Sequence, residues 1–259
     1  MQIRPGIELA GLTDVGCVRE NNEDSYSYWE PARDEEFPGK GRLLIVADGM
    51  GGHEGGQEAS HIAVETVQQT YASAQEGDPR SWLLEGFRAA HEHIQQFAAG
   101  HPLLQGMGTT CSAVALFGNH FYYAHVGDSR LYLVRQSHIY RLSRDHSYVG
   151  RLVEQGIISP EEAATHPQRN ILTAALGSGA LPVPESPERE ISVETGDVLL
   201  LCTDGLWGLV TDDEILKALS APSLAGACAA LVQQAKDRGG ADNITVQAAR
   251  VQAAAVQQS

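Results

Sequence analysis

Four aspartates stand beside short apolar runs of the sequence, and carboxylates placed in this way suit metal chemistry. Asp48, Asp128 and Asp204 follow such runs, whereas Asp242 precedes one. If the runs are strands of a sandwich, their ends converge on one rim. Hard divalent cations such as Mg²⁺ and Mn²⁺ take several oxygen ligands in octahedral geometry. The placement therefore predicts a site for two or three divalent cations.

The small neighbours of these aspartates support two interpretations. Pairs such as Asp48-Gly49 and Asp242-Asn243 are typical of turns and helix caps. A small neighbour also lets a backbone carbonyl or a water approach a cation. A turn explains any one of the pairs, but it does not require an adjacent apolar run, and all four sites have one. For the set as a whole, we favour the metal interpretation.

The elements that must position these aspartates are predicted from apolar and β-branched runs. The predicted strands cover residues 43–47, 110–117, 121–126, 131–134, 198–202 and 244–249. Turn signals at Gly118-Asn119 and Gly127-Asp128 separate the second, third and fourth of these runs. Because such turns connect neighbouring antiparallel strands, we expect these three strands to form one meander.

Helical spacing occurs between and after the strands. One face carries Ala59, Ile62, Ala63, Thr66 and Val67, and a second helix carries Phe87, Ala90, Ile94 and Phe97. A capping-box pattern at Thr211 to Glu214 predicts a third helix, and residues 224–235 predict a fourth. Strands interspersed with pairs of helices favour an α+β fold over a Rossmann-type fold. We predict a central sandwich of two antiparallel β-sheets flanked by α-helices, in four αββα layers.

The chain is predicted to form one catalytic domain over residues 1–250. Its 259 residues are 42% hydrophobic, enough for one large core. Residues 145–179 lack a sustained pattern and predict an irregular flap, in which Ser159-Pro160 begins a brief helix that Pro167 ends. Residues 251–259 are rich in alanine and glutamine and predict a flexible C-terminal tail.

Charge and composition exclude several classes of partner. The net charge of -15 would repel a phosphate backbone, so we expect no nucleic acid partner. The sequence shows no signal-peptide pattern and no run of the roughly 20 apolar residues that a membrane span needs. The four cysteines are widely spaced and indicate free thiols in a reducing compartment. We therefore expect a cytoplasmic protein without membrane contact, and a monomer.

Five segments carry a family resemblance. They are DVGCVRENNED (14–24), ADGMGG (47–52), GDSR (127–130), TDGLW (203–207) and DNIT (242–245). In this order and spacing they resemble the successive motifs of the type 2C protein phosphatases, the PPM family, and most closely its bacterial branch. The resemblance spans about residues 8–250. It implies metal-dependent hydrolysis of phosphoserine and phosphothreonine on proteins by a metal-activated bridging water.

The resemblance also implies a role for each matching residue. Asp48 bridges two cations and Gly49 adds a carbonyl ligand, while Asp204 and Asp242 complete the shell of the first metal. Glu23 and Asp24 hold metal-bound waters, Asp128 joins Asp204 at a third cation, and Arg19 pairs with the substrate phosphate. The implied cofactors are Mn²⁺ or Mg²⁺, with two or three ions per chain. Taken alone, Arg19 is more typical of a solvated surface arginine, and only the resemblance favours the phosphate role.

The sequence departs from the family pattern at one position. Eukaryotic members commonly have a histidine directly after the Asp-Gly pair, where this chain has Met50. His53 is the nearest candidate for the general acid, since the pKa of a histidine suits proton transfer near pH 7. An exposed polar histidine, with a metal-bound water as the acid, is the alternative.

Rival functions remain alongside the phosphatase. A cysteine phosphatase is excluded, because no cysteine is followed six residues later by an arginine. A catalytically inactive regulatory or binding module of the same fold would lack a ligand, whereas all the motif aspartates are present. A two-metal phosphodiesterase acting on nucleotides is disfavoured by the acidic net charge of the chain. The resemblance implies phosphorylated proteins as substrates, among them a serine/threonine kinase or its targets.

Overall fold

The computed structural model describes residues 3–51 and 54–253, which form two antiparallel sheets packed face to face. The first sheet has five strands, in the spatial order β1 (Ile7–Asp14), β11 (Ile244–Val251), β10 (Val198–Cys202), β7 (Arg130–Arg135) and β8 (His138–Arg141). The second has β2 (Asp24–Trp29), β3 (Arg42–Met50), β5 (Cys111–Phe117), β6 (His120–Val126) and β9 (Ile191–Ser192), with β4 (Gly108–Thr109) paired beside β3.

Helices flank the two sheets and also occur in the segment expected as a flap. They are α1 (Phe37–Lys40), α2 (Gly55–Ser73), α3 (Pro79–Gly100), α4 (Tyr148–Glu154), α5 (Pro160–Ala164), α6 (Asp204–Trp207), α7 (Asp212–Leu219) and α8 (Leu224–Asp237). One core cluster joins α2 and α3 to the six-stranded sheet, and another joins α6, α7 and α8 to the five-stranded sheet. A third cluster lies between the sheets. These layers confirm the predicted αββα sandwich.

Strand β3 shows why the central strands read as continuous apolar runs. Leu43 and Ile45 pack under the helices, whereas Leu44 and Val46 pack between the sheets. Successive side chains of a strand point to opposite faces, so a strand buried on both faces must be apolar at every position. Asp48 has the same parity as Leu44 and Val46, and it therefore faces the gap between the sheets, at its rim.

The predicted helix starts are confirmed by the capping contacts. Thr211 and Glu214 form a reciprocal capping box at the start of α7. Ser159 and Glu162 form another at the start of α5, in the segment where a brief helix was expected. Each box satisfies backbone N–H groups that the first turn of a helix leaves without partners.

The predicted three-stranded meander is wrong. Strands β5 and β6 pair as expected, but β7 belongs to the opposite sheet and pairs with β10 and β8. Gly127, with φ +109°, carries the chain from one sheet to the other. A glycine turn signals a change of direction but does not specify which strand the next segment joins. The crossing places the following residue, Asp128, at the rim between the sheets.

Besides the two-residue β4, four strands were not predicted, and their sequences explain why. Strand β1 contains Gly11, and exposed or half-buried positions separate its buried residues. Strand β2 consists largely of serine and tyrosine. Strands β8 and β9 are short edge strands with exposed residues. All four lack a sustained apolar run, so their pairing depends on the neighbouring strand more than on their own composition.

The segment expected as a flap, residues 145–179, leaves the sandwich and returns to it. Thr173 N donates to His146 O at 2.8 Å and Tyr148 N donates to Ile171 O at 2.8 Å, so both limbs meet at the base. Between them lie α4 and α5, which makes the segment more regular than expected. At the other end of the chain, β11 continues to Val251, and residues 254–259 of the expected tail lie outside the described range.

Across the described parts of the chain, every helix is too short or too polar to cross a membrane.

Candidate active site

Asp24 and Asp48 lie opposite each other at the rim of the sandwich. They are paired positions of the antiparallel strands β2 and β3. Asp24 Oδ2 accepts a hydrogen bond from Thr203 Oγ1 at 2.8 Å, and this contact joins the two sheets. Asp24 is 8% exposed, and its Oδ1 atom has no hydrogen-bond partner within the described residues. A buried carboxylate oxygen without a donor is costly unless a cation or a bound water compensates it.

Asp48 is the centre of a cluster of carboxyl groups. Burial raises its pKa well above the ordinary value, and repulsion from Asp24, Asp204, Asp128 and Asp242 adds to the effect. Burial and the charge of Asp242 raise the pKa of Asp204 to about 6. A hydrogen bond from a protonated Asp48 carboxyl to that of Asp204 would oppose this shift. A cation in this position would remove the need for that proton.

Asp24 and Asp128 respond to the same cluster. Burial raises the pKa of Asp24 to about 7, with Asp204 and Asp242 contributing. The pKa of Asp128 lies well above its ordinary value, because the group is buried and faces Asp204. These mutual effects show that the aspartates converge, as their positions in the sequence suggested. Two details differ from expectation: Asp48 lies within β3 rather than after it, and Asp204 begins α6.

Two glycines allow the backbone to approach closely at this rim. A Cβ at Gly49 would lie 1.9 Å from Gly56 O and 2.7 Å from Glu23 O. A Cβ at Gly205 would lie 1.9 Å from Asn243 O. Such contacts are impossible for any other residue, so glycine is required at both positions for steric reasons. The Asp-Gly pairs that resembled turns are therefore points where two chain segments touch.

Glu23 lies against the first turn of α2. A Cβ at Gly56 would lie 2.7 Å from its carboxyl, which explains why the second residue of this helix is a glycine. Partial burial raises the pKa of Glu23, while Arg19 opposes the shift. Because its backbone N donates to Asn243 Oδ1 at 2.8 Å, Glu23 is held beside the Asp242 loop.

Arg19 forms an ion pair with Asp242. Its Nη2 lies 2.8 Å from Asp242 Oδ2, and the two side chains are 48% and 37% exposed. The charges of Asp242, Glu23 and Asp48 raise the pKa of Arg19, although burial opposes them. The guanidinium therefore lies at the edge of the carboxyl cluster, where it can meet an anion from solvent.

Asn243 holds the N-terminal loop in place, a role that the sequence did not reveal. Its Nδ2 donates to Val15 O at 3.0 Å and to Asn21 O at 2.9 Å. Its Oδ1 accepts from Glu23 N, and its own backbone N donates to Asp242 Oδ1 at 2.9 Å. Asn243 thus connects the loop that carries Arg19 to Asp242. The Asp-Asn pair at 242–243 was the only signal for this residue.

Asp128 is held by an aromatic residue. Trp207 Nε1 donates to Asp128 O at 2.9 Å, and the Arg130 guanidinium stacks over the indole ring at 3.6 Å. Arg130 in turn binds both oxygens of Asp145, at 3.1 and 2.7 Å. Trp207 packs against the core beneath α7 and α8, and it also fixes the Asp128 loop and links it to the flap.

A second group of possible metal ligands is engaged in hydrogen bonds. His125, His146 and Glu185 have ligand atoms within 4.8 Å of one another. However, His125 Nε2 lies 3.0 Å from Gly127 O, so this nitrogen carries the proton, and Nδ1 accepts from Ser112 Oγ at 2.8 Å. With both ring nitrogens in use, the group serves as a structural anchor at the base of the flap.

The general-acid candidate His53 lies outside the described residues. Met50 stands where eukaryotic type 2C phosphatases commonly have a histidine. It lines a cavity of about 630 Å³ between β3 and the flap. The thioether has no proton to donate, so its contribution there is steric and apolar.

Comparison with known proteins identifies relatives of one kind. A family model described as Protein phosphatase 2C matches residues 20–244. The serine/threonine protein phosphatase PstP of Mycobacterium tuberculosis is 38% identical over 245 residues, which cover 95% of this chain and 45% of that protein. Protein phosphatase PhpP of Streptococcus pneumoniae is 35% identical over 244 residues, which cover 93% of this chain and 96% of that protein.

Solved structures are similar throughout the fold. The catalytic domain of PstP in complex with two manganese ions has a TM-score of 0.82 at 35% identity, over 96% of this chain and 99% of that chain. Since the match covers 45% of full-length PstP, this chain spans less than half of that protein.

Proposed function

This chain belongs to the protein phosphatase 2C family, and from this membership we propose that it hydrolyses phosphoserine and phosphothreonine on proteins with divalent cations held by its carboxyl cluster. One observation carries the proposal: buried carboxyls around Asp48 repel one another, and an arginine lies beside them. Such a group is unfavourable by itself but suits cations and a phosphoryl anion together.

The residues present fit divalent cations. All the side-chain donors are carboxylate oxygens, which Mg²⁺ and Mn²⁺ prefer, and the unpartnered Oδ1 of Asp24 faces no competing donor. Asp48, Asp204 and Asp242, with the carbonyl of Gly49, would hold two ions directly. Glu23 and Asp24 would act through waters, and Asp128 with Asp204 would hold a third. Bound cations lower the pKa of a water and stabilise the charge of an in-line displacement.

The residues of the chain would orient the substrate. Arg19 presents a planar fork of N–H donors, which matches two phosphate oxygens. To bind the phosphate, the guanidinium must turn away from Asp242 Oδ2. A cation would then bind that oxygen. Since Met50 cannot supply a proton, protonation of the leaving serine or threonine oxygen falls to His53 or to water.

The proposal also covers the partners, the metal and the location of the protein. PstP and PhpP are named as protein phosphatases, so phosphorylated proteins, including a serine/threonine kinase or its targets, are the proposed substrates. The structure of PstP with two manganese ions supports Mn²⁺, with Mg²⁺ as a substitute. The four free cysteines support a reducing, cytoplasmic location, and we propose a monomer.

Phosphate release from a phosphothreonine peptide, with Mn²⁺ and with chelator, tests the function. Asp48→Asn and Asp204→Asn should each abolish turnover, whereas Asp213→Asn, at an exposed position on α7, should not. Turnover that survives the chelator or both cluster variants would contradict the mechanism. Absence of turnover by every form would favour the inactive binding module, and preference for a phosphodiester substrate would favour the phosphodiesterase.

A further inference from the structure

The cavity beside Met50 has no part in holding the cations. It occupies about 630 Å³ between the end of β3 and the segment 172–183. Its walls include Leu172, Ala175, Pro182 and Val183, together with charged residues of α4. Val183 is 89% exposed, which is unusual for an aliphatic side chain on a cavity wall. The cavity is therefore open to solvent and has apolar surface available for contact.

The cavity adjoins the carboxyl cluster on two sides. Met50 is two residues beyond Asp48 on the same strand. His146, on the opposite wall, donates its backbone N to Gly127 O at 2.7 Å, next to Asp128. A peptide whose phosphoryl group reaches the cluster can therefore place its flanking residues in this cavity.

The charged residues of the cavity are not equally available. Arg144 is engaged by Glu185 at 3.2 Å and by Glu154 at 3.8 Å. Asp145 is bound by Arg130 through both oxygens. Arg151 is exposed on α4, and its guanidinium makes no ion pair or side-chain hydrogen bond with residues 3–51 or 54–253. It is an uncompensated positive charge in a chain of net charge -15.

From this arrangement we propose that the cavity binds the substrate segment flanking the phosphorylated residue, and that Arg151 selects an acidic side chain in that segment. The proposal rests on the proposed function and adds a substrate class to it. The apolar walls contact the neighbouring side chains, and Arg151 supplies charge complementarity. Because charge at the rim of an interface gives specificity more than affinity, the effect should appear as discrimination between peptides.

A set of phosphothreonine peptides, with one glutamate moved from four residues before to four residues after the phosphothreonine, tests this proposal. Each is compared with its glutamine and lysine counterparts by kcat/KM in Mn²⁺. We expect a preference for glutamate at one position, of roughly three- to fivefold for an exposed ion pair. Arg151→Glu should shift that preference to lysine. Arg189→Glu, at an exposed arginine outside the cavity, should retain the preference for glutamate.

The outcomes separate this proposal from the proposed function. Turnover with equal kcat/KM for all peptides, or a glutamate preference that persists in Arg151→Glu, would overturn the selection by Arg151 and leave the phosphatase activity intact. If the wild-type chain turns over no peptide, the proposed function fails. In that case, binding of fluorescently labelled versions of these peptides without metal tests the role of the cavity separately. The preference for glutamate, and its reversal in Arg151→Glu, should appear in the dissociation constants.

Discussion

Arg19 Nη2 lies 2.8 Å from Asp242 Oδ2, so the arginine proposed to bind phosphate is paired with a carboxylate proposed to bind a cation. The two partners are connected a second time, because Asn243 holds both the N-terminal loop and Asp242. A cation at Asp242 competes with the guanidinium for the same oxygen. Cation binding and release of Arg19 for the substrate phosphate are therefore expected to be coupled.

Arg19→Gln should affect the substrate and the metal in opposite directions. Loss of charge-assisted hydrogen bonds, worth about 1.5–3 kcal/mol, should lower kcat/KM for a phosphopeptide by roughly tenfold to a hundredfold. Affinity for Mn²⁺ should rise by a few-fold, about the value of an exposed ion pair. Steady-state kinetics and calorimetric titration measure the two effects. Arg189→Gln is the control, and a weaker affinity for Mn²⁺ in Arg19→Gln would contradict the coupling.

Metal removal should lower the stability of the wild-type chain but not that of Asp48→Asn. Cations that bind only the folded state stabilise it by about 2.7 kcal/mol at a hundredfold excess over Kd. Thermal unfolding with Mn²⁺ and with chelator measures the difference. Asp213→Asn should behave like the wild type. A Mn²⁺-dependent rise in Tm that persists in Asp48→Asn would place the principal ions elsewhere.

Thr203→Val should destabilise the contact between the sheets. The Thr203 hydroxyl donates to Asp24 Oδ2 at 2.8 Å and accepts from Thr245 N at 3.0 Å. Valine has the same shape but leaves both buried groups without a partner, at a cost of about 1–3 kcal/mol. Urea unfolding measures this loss. Thr165→Val, at an exposed position, should change the free energy of unfolding little, and equal effects of the two substitutions would contradict the role of the buried hydroxyl.

The contribution of His125 to the free energy of unfolding should fall as the pH falls from about 6.5 toward 4, because His125 stays neutral in the fold. The carboxyl groups of Asp24 and Asp204, whose pKa values are raised to about 7 and about 6, act in the opposite direction. Burial, with the nearby His146, lowers the pKa of His125 from 6.5 to about 4. Below pH 6.5 the unfolded chain gains a proton that the folded chain does not take up. For one group the loss is about 1.4 kcal/mol per pH unit.

Urea unfolding between pH 7 and pH 5 tests the role of His125. As the pH falls, the free energy of unfolding of His125→Gln should rise relative to that of the wild type, because the variant lacks the His125 contribution while both proteins keep those of His146 and the carboxyl cluster. His61→Gln, which alters an exposed side chain, should keep the wild-type dependence. An unchanged slope in His125→Gln would show that other groups cause the pH effect.

The elements predicted correctly are those whose pattern is local. Strand β10 is buried on both faces and matched its apolar run, and the α7 capping box matched four consecutive residues. The crossing at Gly127 was missed because strand partners depend on packing over long sequence separations. For the same reason β1 was missed, since it is defined by its pairing with β11 at the other end of the chain.

The candidate site follows the same division. The aspartates were found from motif and position, because carboxylates beside apolar runs are visible in a sequence. The residues that hold them were not: Thr203, Trp207 and Asn243 act through single hydrogen bonds to distant segments. Arg151 has no motif, and only the cavity around it indicates a role.

Gly205→Ala should disrupt the site without adding or removing charge. The new Cβ would lie 1.9 Å from Asn243 O, so α6 and the Asp242 loop must move apart. Overpacking of this kind costs about 1–3 kcal/mol. Because Asp204 and Asp242 lie on the separated segments, we expect loss of most phosphopeptide turnover and weaker Mn²⁺ binding. Gly100→Ala, at a helical glycine with open space around it, should be neutral or slightly stabilising. Full activity of Gly205→Ala would show that the two aspartates need not be held at this separation, and the two-ion arrangement would then lose its structural basis.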